Sequence, residues 1–427
     1  MARGWEFPEI SARFTGPLAI PPKGQPFALL YDGVAGKGVL LSAPIASISG
    51  REDGIALEVS GHTWSWPGNP LDHLDAVFSA AVQETSNLGH DAPCFAGAFH
   101  YDLRRLVERF AHPSHDDLRL PWVRWFLFST ARPVSGPELT ALPLPHVRPP
   151  TWFTAGSLDR PAFKEGVRRI VDLEYAGEVY QVNLTRRLTA PLSCDPFSLW
   201  WGQARTSRAP FAAYLDEGSF QLLSLSPERF LRREGGRVWT EPIKGTVARG
   251  ASPEEDASQV VALLAGEKEA AELAMIVDVS RNDLGRVAVP GSVRLAAHRE
   301  VLTLPHVHHL VSRVEAELRP GTTVADLLWA AFPGASVTGA PKIRAMEVID
   351  ALEPVSRGFY CGALGWMDLA GDFDWSLPIR TATAVDGRLH LGVGGGIVAD
   401  SDPSAEWEET VAKARCFVGE EVRKLGS

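Results

Sequence analysis

Lys244 stands in the pentapeptide Pro242-Ile243-Lys244-Gly245-Thr246, with Glu228 of the segment SPERF sixteen residues earlier. Lysine is ordinarily a surface residue. Here Gly245 permits close approach of a ligand to the backbone, and Thr246 supplies a hydroxyl donor. A buried lysine can lose its proton, because desolvation disfavours the ammonium form, and then becomes a nucleophile. A nearby carboxylate opposes that effect, so the resting protonation state of Lys244 stays open at this level.

Two acidic clusters form a second candidate centre. Glu269 and Glu272 lie three residues apart, as do Glu406 and Glu409, and Lys413 lies four beyond Glu409. On helices each pair shares one face. Such pairs are commonly solvated faces. If the two helices converge, their hard oxygens suit Mg2+, which takes one or two protein carboxylates and keeps its other positions for water and substrate oxygen. Lys413 then stands beside a substrate carboxylate on that metal.

These side chains need elements to carry them. A helix is expected from Asp159-Arg160-Pro161, with Phe163, Val167 and Ile170 at helical spacing, followed by a strand over YQVNLT, residues 180–185. Ser252-Pro253-Glu254-Glu255 offers a cap, a first-turn proline and a capping-box acid for a helix that Gly266 interrupts; another runs from Glu267 to about Val279. FYCGALGWM, SLPIRTATAV and RLHLGV read as strands, Gly394-Gly395-Gly396 as a turn, and a capped helix starts at Ser401-Asp402-Pro403. Alternation without strict βαβ order implies an α+β fold.

The 427 residues, 45% hydrophobic and 22% charged, suit a globular chain with a large core and two lobes. Six prolines between Pro133 and Pro150 suggest a connection, placing the boundary between a mostly stranded N-terminal lobe, 1–150, and a catalytic region, 151–427. A formal charge of -10, scattered along the chain, disfavours nucleic acid as a partner. No segment has the length of a membrane span or the apolar core of a signal peptide, so a cytoplasmic protein is expected. Four cysteines without paired spacing give neither a zinc site nor a disulfide framework.

From about residue 175 to its end the chain resembles the chorismate-utilising enzymes. The matching blocks, in family order, are YQVNLT, SPERF, EPIKGT, AAELAMIVDVSRNDLGRV, VHHLVS, FPGASVTGAPKIRAMEVI, YCGALGW, IRTATA and GGGIVADSDPSAEWEETVAKA. The resemblance implies a two-lobed fold of antiparallel sheets packed together with helices outside. Within the family the residue inside PI-x-GT separates branches: anthranilate, isochorismate and salicylate synthases usually carry alanine, aminodeoxychorismate synthases lysine, as at Lys244. That branch replaces the C4 hydroxyl of chorismate with an amino group. It implies that Lys244 attacks C2 as the hydroxyl leaves, and that ammonia then attacks C4 and expels the lysine.

The resemblance also distributes roles. Glu228 would protonate the departing hydroxyl and later take a proton from ammonia; its structural alternative is an ion pair with Arg229 or Arg232. Glu272 and Glu409 would ligate Mg2+, with Glu269 and Glu406 holding its waters or supporting the ligands from behind. Arg380 and Tyr360 would hold the enolpyruvyl carboxylate, Gly394, Gly395 and Gly396 would offer backbone N–H groups, Lys413 would meet the ring carboxylate, and Gly245, Thr246 and His309 would complete the pocket. The turn Ser336-Val337-Thr338-Gly339 reads equally as a cap or as a substrate contact. Ala335 replaces a glycine usual after FPG. Relatives carry a tryptophan site, for which Ser42, Pro210, Phe211 and Ala212 are the corresponding candidates, the Leu40-Leu41-Ser42 segment matching in part. No segment resembles a glutaminase or a pyridoxal-dependent lyase, so glutamine would be used only through an amidotransferase partner. The rival expectations are an anthranilate or isochorismate synthase and a non-catalytic tryptophan-binding subunit.

Overall fold

Local caps and apolar spacing set the helices that matter for the site. The structure, a computed structural model, describes residues 4–7, 17–88, 93–110, 113–145, 147 and 155–417. Asp159 accepts from the Ala162 N–H and starts the helix Arg160–Tyr175, whose Phe163, Val167 and Ile170 are buried. These pack with Val182 and Leu184 of the strand Gln181–Pro191 and with Trp407 of the helix Pro403–Ala414. Each such side chain contributes about 1.5–3 kcal/mol on burial, and together they fix the helix that carries Glu406 and Glu409. Ser252 caps the helix Pro253–Ala265, and Gly266 separates it from Glu267–Gly285. That second helix continues past Val279 because Ser280, Asp283 and Leu284 extend its buried stripe.

Among the described residues the strand pairings are antiparallel, apart from an isolated parallel bridge between His115 and Val355. Strands from both halves of the chain interleave: Phe27–Asp32 lies between Lys37–Arg51 and Phe211–Asp216, and Cys94–Phe99 pairs with Ala363–Met367. The proline-rich stretch begins as the ordered strand Val123–Ser135 and the capped helix Gly136–Thr140; residue 150 lies outside the described residues. Aromatic cores fill the space between sheet faces and helices, with Phe99, Trp125 and Trp375 in one cluster and Phe197, Trp200 and Tyr214 in another.

Two expectations need correction. Gly394, Gly395 and Gly396 form no turn: they lie within the strand Arg388–Ile397, opposite Thr185, Leu184 and Asn183. Strand glycines mark close approach, and a Cβ at residue 394 would lie 2.4 Å from the Leu184 carbonyl oxygen. The FYCGALGWM strand is shorter than expected, starting only at Ala363, because Cys361 has a positive φ of 66° and residues 359–362 turn. Ala335, by contrast, opens a 3-10 turn without a positive φ, so its methyl group is accommodated. All four cysteines are free, and among the described residues no helix is long and apolar enough to cross a membrane.

Candidate active site

Lys244 lies on the strand Ile243–Ala248, which pairs with Val307–Glu317 and slips register between Lys244 and Thr246. Gly245 makes the slip, with φ +74°, and a Cβ there would meet Glu269 Cγ at 3.1 Å. Glycine therefore lets the helix Glu267–Gly285 close against the lysine strand. Across the site, a Cβ at residue 396 would stand 3.0 Å from Lys244 Nζ, and one at residue 395 would stand 3.4 Å from Glu409 Oε1 and 3.5 Å from Glu406 Oε2. Two bare glycines thus leave room for the lysine and for the second acidic helix.

Lys244 Nζ is 3.9 Å from Glu272 Oε2, and only 13% of its side chain is exposed. Burial pushes its pKa below the ordinary lysine value; Glu272, Glu228 and Glu409 oppose that shift, while Lys413 reinforces it. Glu228 is buried between the strands Phe220–Ser226 and Arg229–Glu234. Burial raises its carboxyl to about 7, against the lowering effects of the Ser336 hydroxyl and Lys244. Arg229 does not pair with it but binds Asp374 and Glu241. A carboxyl that titrates near neutrality can donate a proton in one step and accept one in the next.

Ser336 donates its hydroxyl to Glu228 Oε1 at 2.6 Å, which makes the turn 336–339 a partner of the acid rather than only a cap. Because that bond favours the carboxylate, Ser336→Ala should move the alkaline limb of the pH–rate profile upward and slow turnover by roughly tenfold, about the net worth of one hydrogen bond to a charged group. A profile measured across neutrality checks this; an unmoved limb removes the role.

Lys413 donates to Glu409 at 2.6 Å and to the Gly394 carbonyl at 2.8 Å, while Ser401 donates to Glu406 at 2.7 Å. Burial, and then the neighbouring Glu409, raise the Glu406 pKa. Lys413 and Lys268 partly offset that rise. Among the described residues no three His, Cys, Asp or Glu side chains gather closely enough to hold a metal by themselves. Glu269 and Glu272 on one helix and Glu406 and Glu409 on the other are hard oxygen donors of the kind Mg2+ takes.

Thr246 Oγ1 and His309 Nδ1 are 2.8 Å apart, and burial above all lowers the His309 pKa to about 3, so the ring is neutral near pH 7. Its buried Nε2 has no protein partner. His308 is engaged elsewhere, with Asp256 and Thr303. Arg380 is a positive neighbour of His309, and among the described residues no ion pair to a carboxylate is formed by its guanidinium; burial lowers its pKa. A half-buried guanidinium without an ion pair is suited to an incoming carboxylate. The Tyr360 ring covers Gly392, and its ionisable neighbours are Cys361, Arg357 and Glu353.

Sequence reasoning overlooked Gln181, which is fully buried with both amide atoms unpartnered. Its Nε2 would lie 2.8 Å from a Cβ at residue 396, on the side where Lys244 Nζ stands. The available signal was its place in the alternating YQVNLT strand. Ser42 pairs with Thr130 in a strand, whereas Phe211 and Ala212 contact the indole of Trp5. An open cavity of about 1160 Å³ lies away from the lysine, between residues 4–7 and the strand Arg294–Thr303.

A family model described as chorismate binding enzyme matches residues 36–419. The chain is 37% identical over 413 residues to aminodeoxychorismate synthase component 1 of Escherichia coli (strain K12), covering 90% of this chain and 91% of that protein. It is 42% identical over 317 residues to anthranilate synthase component 1 of Thermus thermophilus, covering 74% and 67%. The crystal structure of anthranilate synthase component I from Streptococcus pneumoniae superposes with a TM-score of 0.75 at 26% identity, covering 97% of this chain and 96% of that one.

Proposed function

The chain belongs to the chorismate-binding enzyme family, and we propose from that premise that it aminates chorismate at C4, giving 4-amino-4-deoxychorismate. Percentage identity does not separate the two chemistries, since relatives named for each match at 37% and 42%. The observation that carries the reading is Lys244, an almost buried lysine with a lowered pKa in a pocket shared with an acid that titrates near 7.

In the first displacement, neutral Lys244 forms a bond to C2, the ring double bonds shift, and the C4–O bond breaks as Glu228 delivers its proton, releasing water. In the second, ammonia bonds to C4, the electrons shift back, and the C2–N bond to the lysine breaks. The Glu228 carboxylate then takes one proton from the new ammonium group. Atoms balance as chorismate plus ammonia giving product plus water. Arg380 binds the enolpyruvyl carboxylate, neutral His309 and Thr246 orient the ring, and Gly395 and Gly396 keep the face beside Glu409 and Lys244 bare. Glu272 and Glu409 would hold Mg2+, which when bound would supply electrostatic anchoring of the ring carboxylate. Ammonia is delivered by a glutamine amidotransferase partner, in keeping with the name component 1 of the E. coli relative.

The deciding test is the product formed from chorismate, Mg2+ and an ammonium salt. Aminodeoxychorismate supports the assignment, whereas anthranilate with released pyruvate, or isochorismate, replaces it. Excess chelator should abolish turnover, and Glu272→Ala and Glu409→Ala should each raise the Mg2+ and chorismate concentrations needed for half-maximal rate by roughly tenfold or more. Undiminished turnover in chelator would remove the metal from the reaction.

A further inference from the structure

Behind the turn that presents Ser336 to Glu228 lies a buried ion pair. Arg357 and Glu353 have 2% and 4% of their side chains exposed and meet in a bidentate contact, Nε donating to Glu353 Oε2 at 2.9 Å and Nη2 to Oε1 at 2.7 Å. The same guanidinium donates to two main-chain carbonyls, Nη1 to Val337 and Nη2 to Asn183, each at 2.7 Å. Glu353 Oε1 in turn accepts the Thr185 N–H at 2.8 Å.

Each of these partners leads into the site. Val337 follows Ser336, whose hydroxyl binds Glu228. Asn183 and Thr185 stand opposite Gly396 and Gly394 in the strand Gln181–Pro191, and the Asn183 N–H donates to the Thr338 carbonyl at 2.8 Å. The start of the turn has a separate hold, since Lys342 donates to the carbonyls of Ala331 and Pro333 at 3.1 and 3.0 Å. Apolar residues in place of two buried charges are often as stabilising. They cannot donate to two carbonyls and accept an amide from separate segments at once.

We propose that the Arg357–Glu353 pair is a positioning device, which locks the Ser336 turn to the strand Gln181–Pro191 and so holds the hydroxyl against Glu228. The proposal rests on the reading of Glu228 as the group that protonates the C4 hydroxyl. Lysine at 357 keeps the charge but not the planar fork. Such a side chain can satisfy Glu353 only by releasing the Val337 carbonyl, and the Ser336 hydroxyl then loses its fixed distance to the acid.

The test is the pH–rate profile of chorismate consumption by the full-length protein with Mg2+ and an ammonium salt, a readout independent of which product forms. Arg357→Lys should move the alkaline limb upward by up to about one unit, as Ser336→Ala does, and slow turnover by up to about tenfold. In a Ser336→Ala background it should move the limb no further, because the contact it acts through is already gone. Arg104→Lys is the control: Arg104 is buried and pairs with Asp350 of the helix Lys342–Leu352, so the variant loosens that helix without touching the turn. It should lower the melting temperature and leave the limb in place. Slower turnover by Arg357→Lys with an unmoved limb would overturn the proposal, as would an equal limb shift in the Ser336→Ala background or in Arg104→Lys. A limb that persists in Glu228→Gln, or stays put in Ser336→Ala, removes the acid assignment and the proposal with it; a limb that responds to both but not to Arg357→Lys removes the pair alone. Should Arg357→Lys lack a cooperative melting transition, Glu353→Gln carries the test. Loss of a carboxylate can by charge alone only move the limb down, so an upward shift supports the pair, and a downward shift, no shift or failure to fold overturns it.

Discussion

Lys244→Ala is expected to lose C4 amination by roughly 100-fold or more and to release small amounts of products substituted at C2. The lysine is the nucleophile that occupies C2 in the proposed first displacement, and its amine reaches the face left bare by Gly396. Truncation empties that position. Water or ammonia can then enter at C2 while Glu228 still protonates the C4 hydroxyl, giving isochorismate-like or anthranilate-like products. Chromatography and mass spectrometry of the reaction mixture distinguish these from aminodeoxychorismate. If Lys244→Ala makes aminodeoxychorismate at the parent rate, the lysine is not the nucleophile. In the parent, incubation with chorismate and no ammonia should leave a Lys244 peptide heavier by chorismate minus water.

Glu228→Gln should lower turnover by roughly 100-fold or more, with a much smaller change in substrate affinity. The amide keeps the size of the side chain and can still accept from Ser336, but it cannot exchange a proton. The pH dependence gives a second readout. Glu228 must be protonated to release the hydroxyl, and its carboxyl is raised by burial to about 7, so the parent rate should fall as pH rises through that region. Lys244 must be neutral to attack, and burial lowers its pKa, so the rate should also fall at lower pH as the ammonium form accumulates. The profile is a bell whose alkaline limb belongs to Glu228. In Glu228→Gln that limb should vanish, and the acid limb should stay in place because the parent's Glu228 is already protonated and uncharged below its own limb. An alkaline limb unchanged in the variant would assign it to another group.

Local chemistry was readable from the residues themselves. Asp159, Ser252 and Asp402 each start a helix through their own side chains, and the three-residue spacing of Glu269/Glu272 and Glu406/Glu409 places each pair on one helix. These features depend on neighbours within one turn, so a one-dimensional pattern is enough to determine them. The ordered blocks from YQVNLT to the final helix likewise pointed to the family and singled out Lys244.

Tertiary structure decided the rest, because burial and long-range pairing leave no local trace. Gly394, Gly395 and Gly396 looked like a turn until the strand Gln181–Pro191, some two hundred residues earlier, supplied their partners. Glu228 could have paired with Arg229; instead Asp374 and Glu241 take the arginine, and Ser336 reaches the acid from 108 residues away. Gln181 arrived unannounced beside Gly396, the glycine that Lys244 also meets. The sequence by itself determined which groups could do chemistry, since side-chain identity and helix phase are local. Only the fold decided which of them lose water and face one another, and with that the pKa values of Lys244 and Glu228, because desolvation is a property of the packed interior.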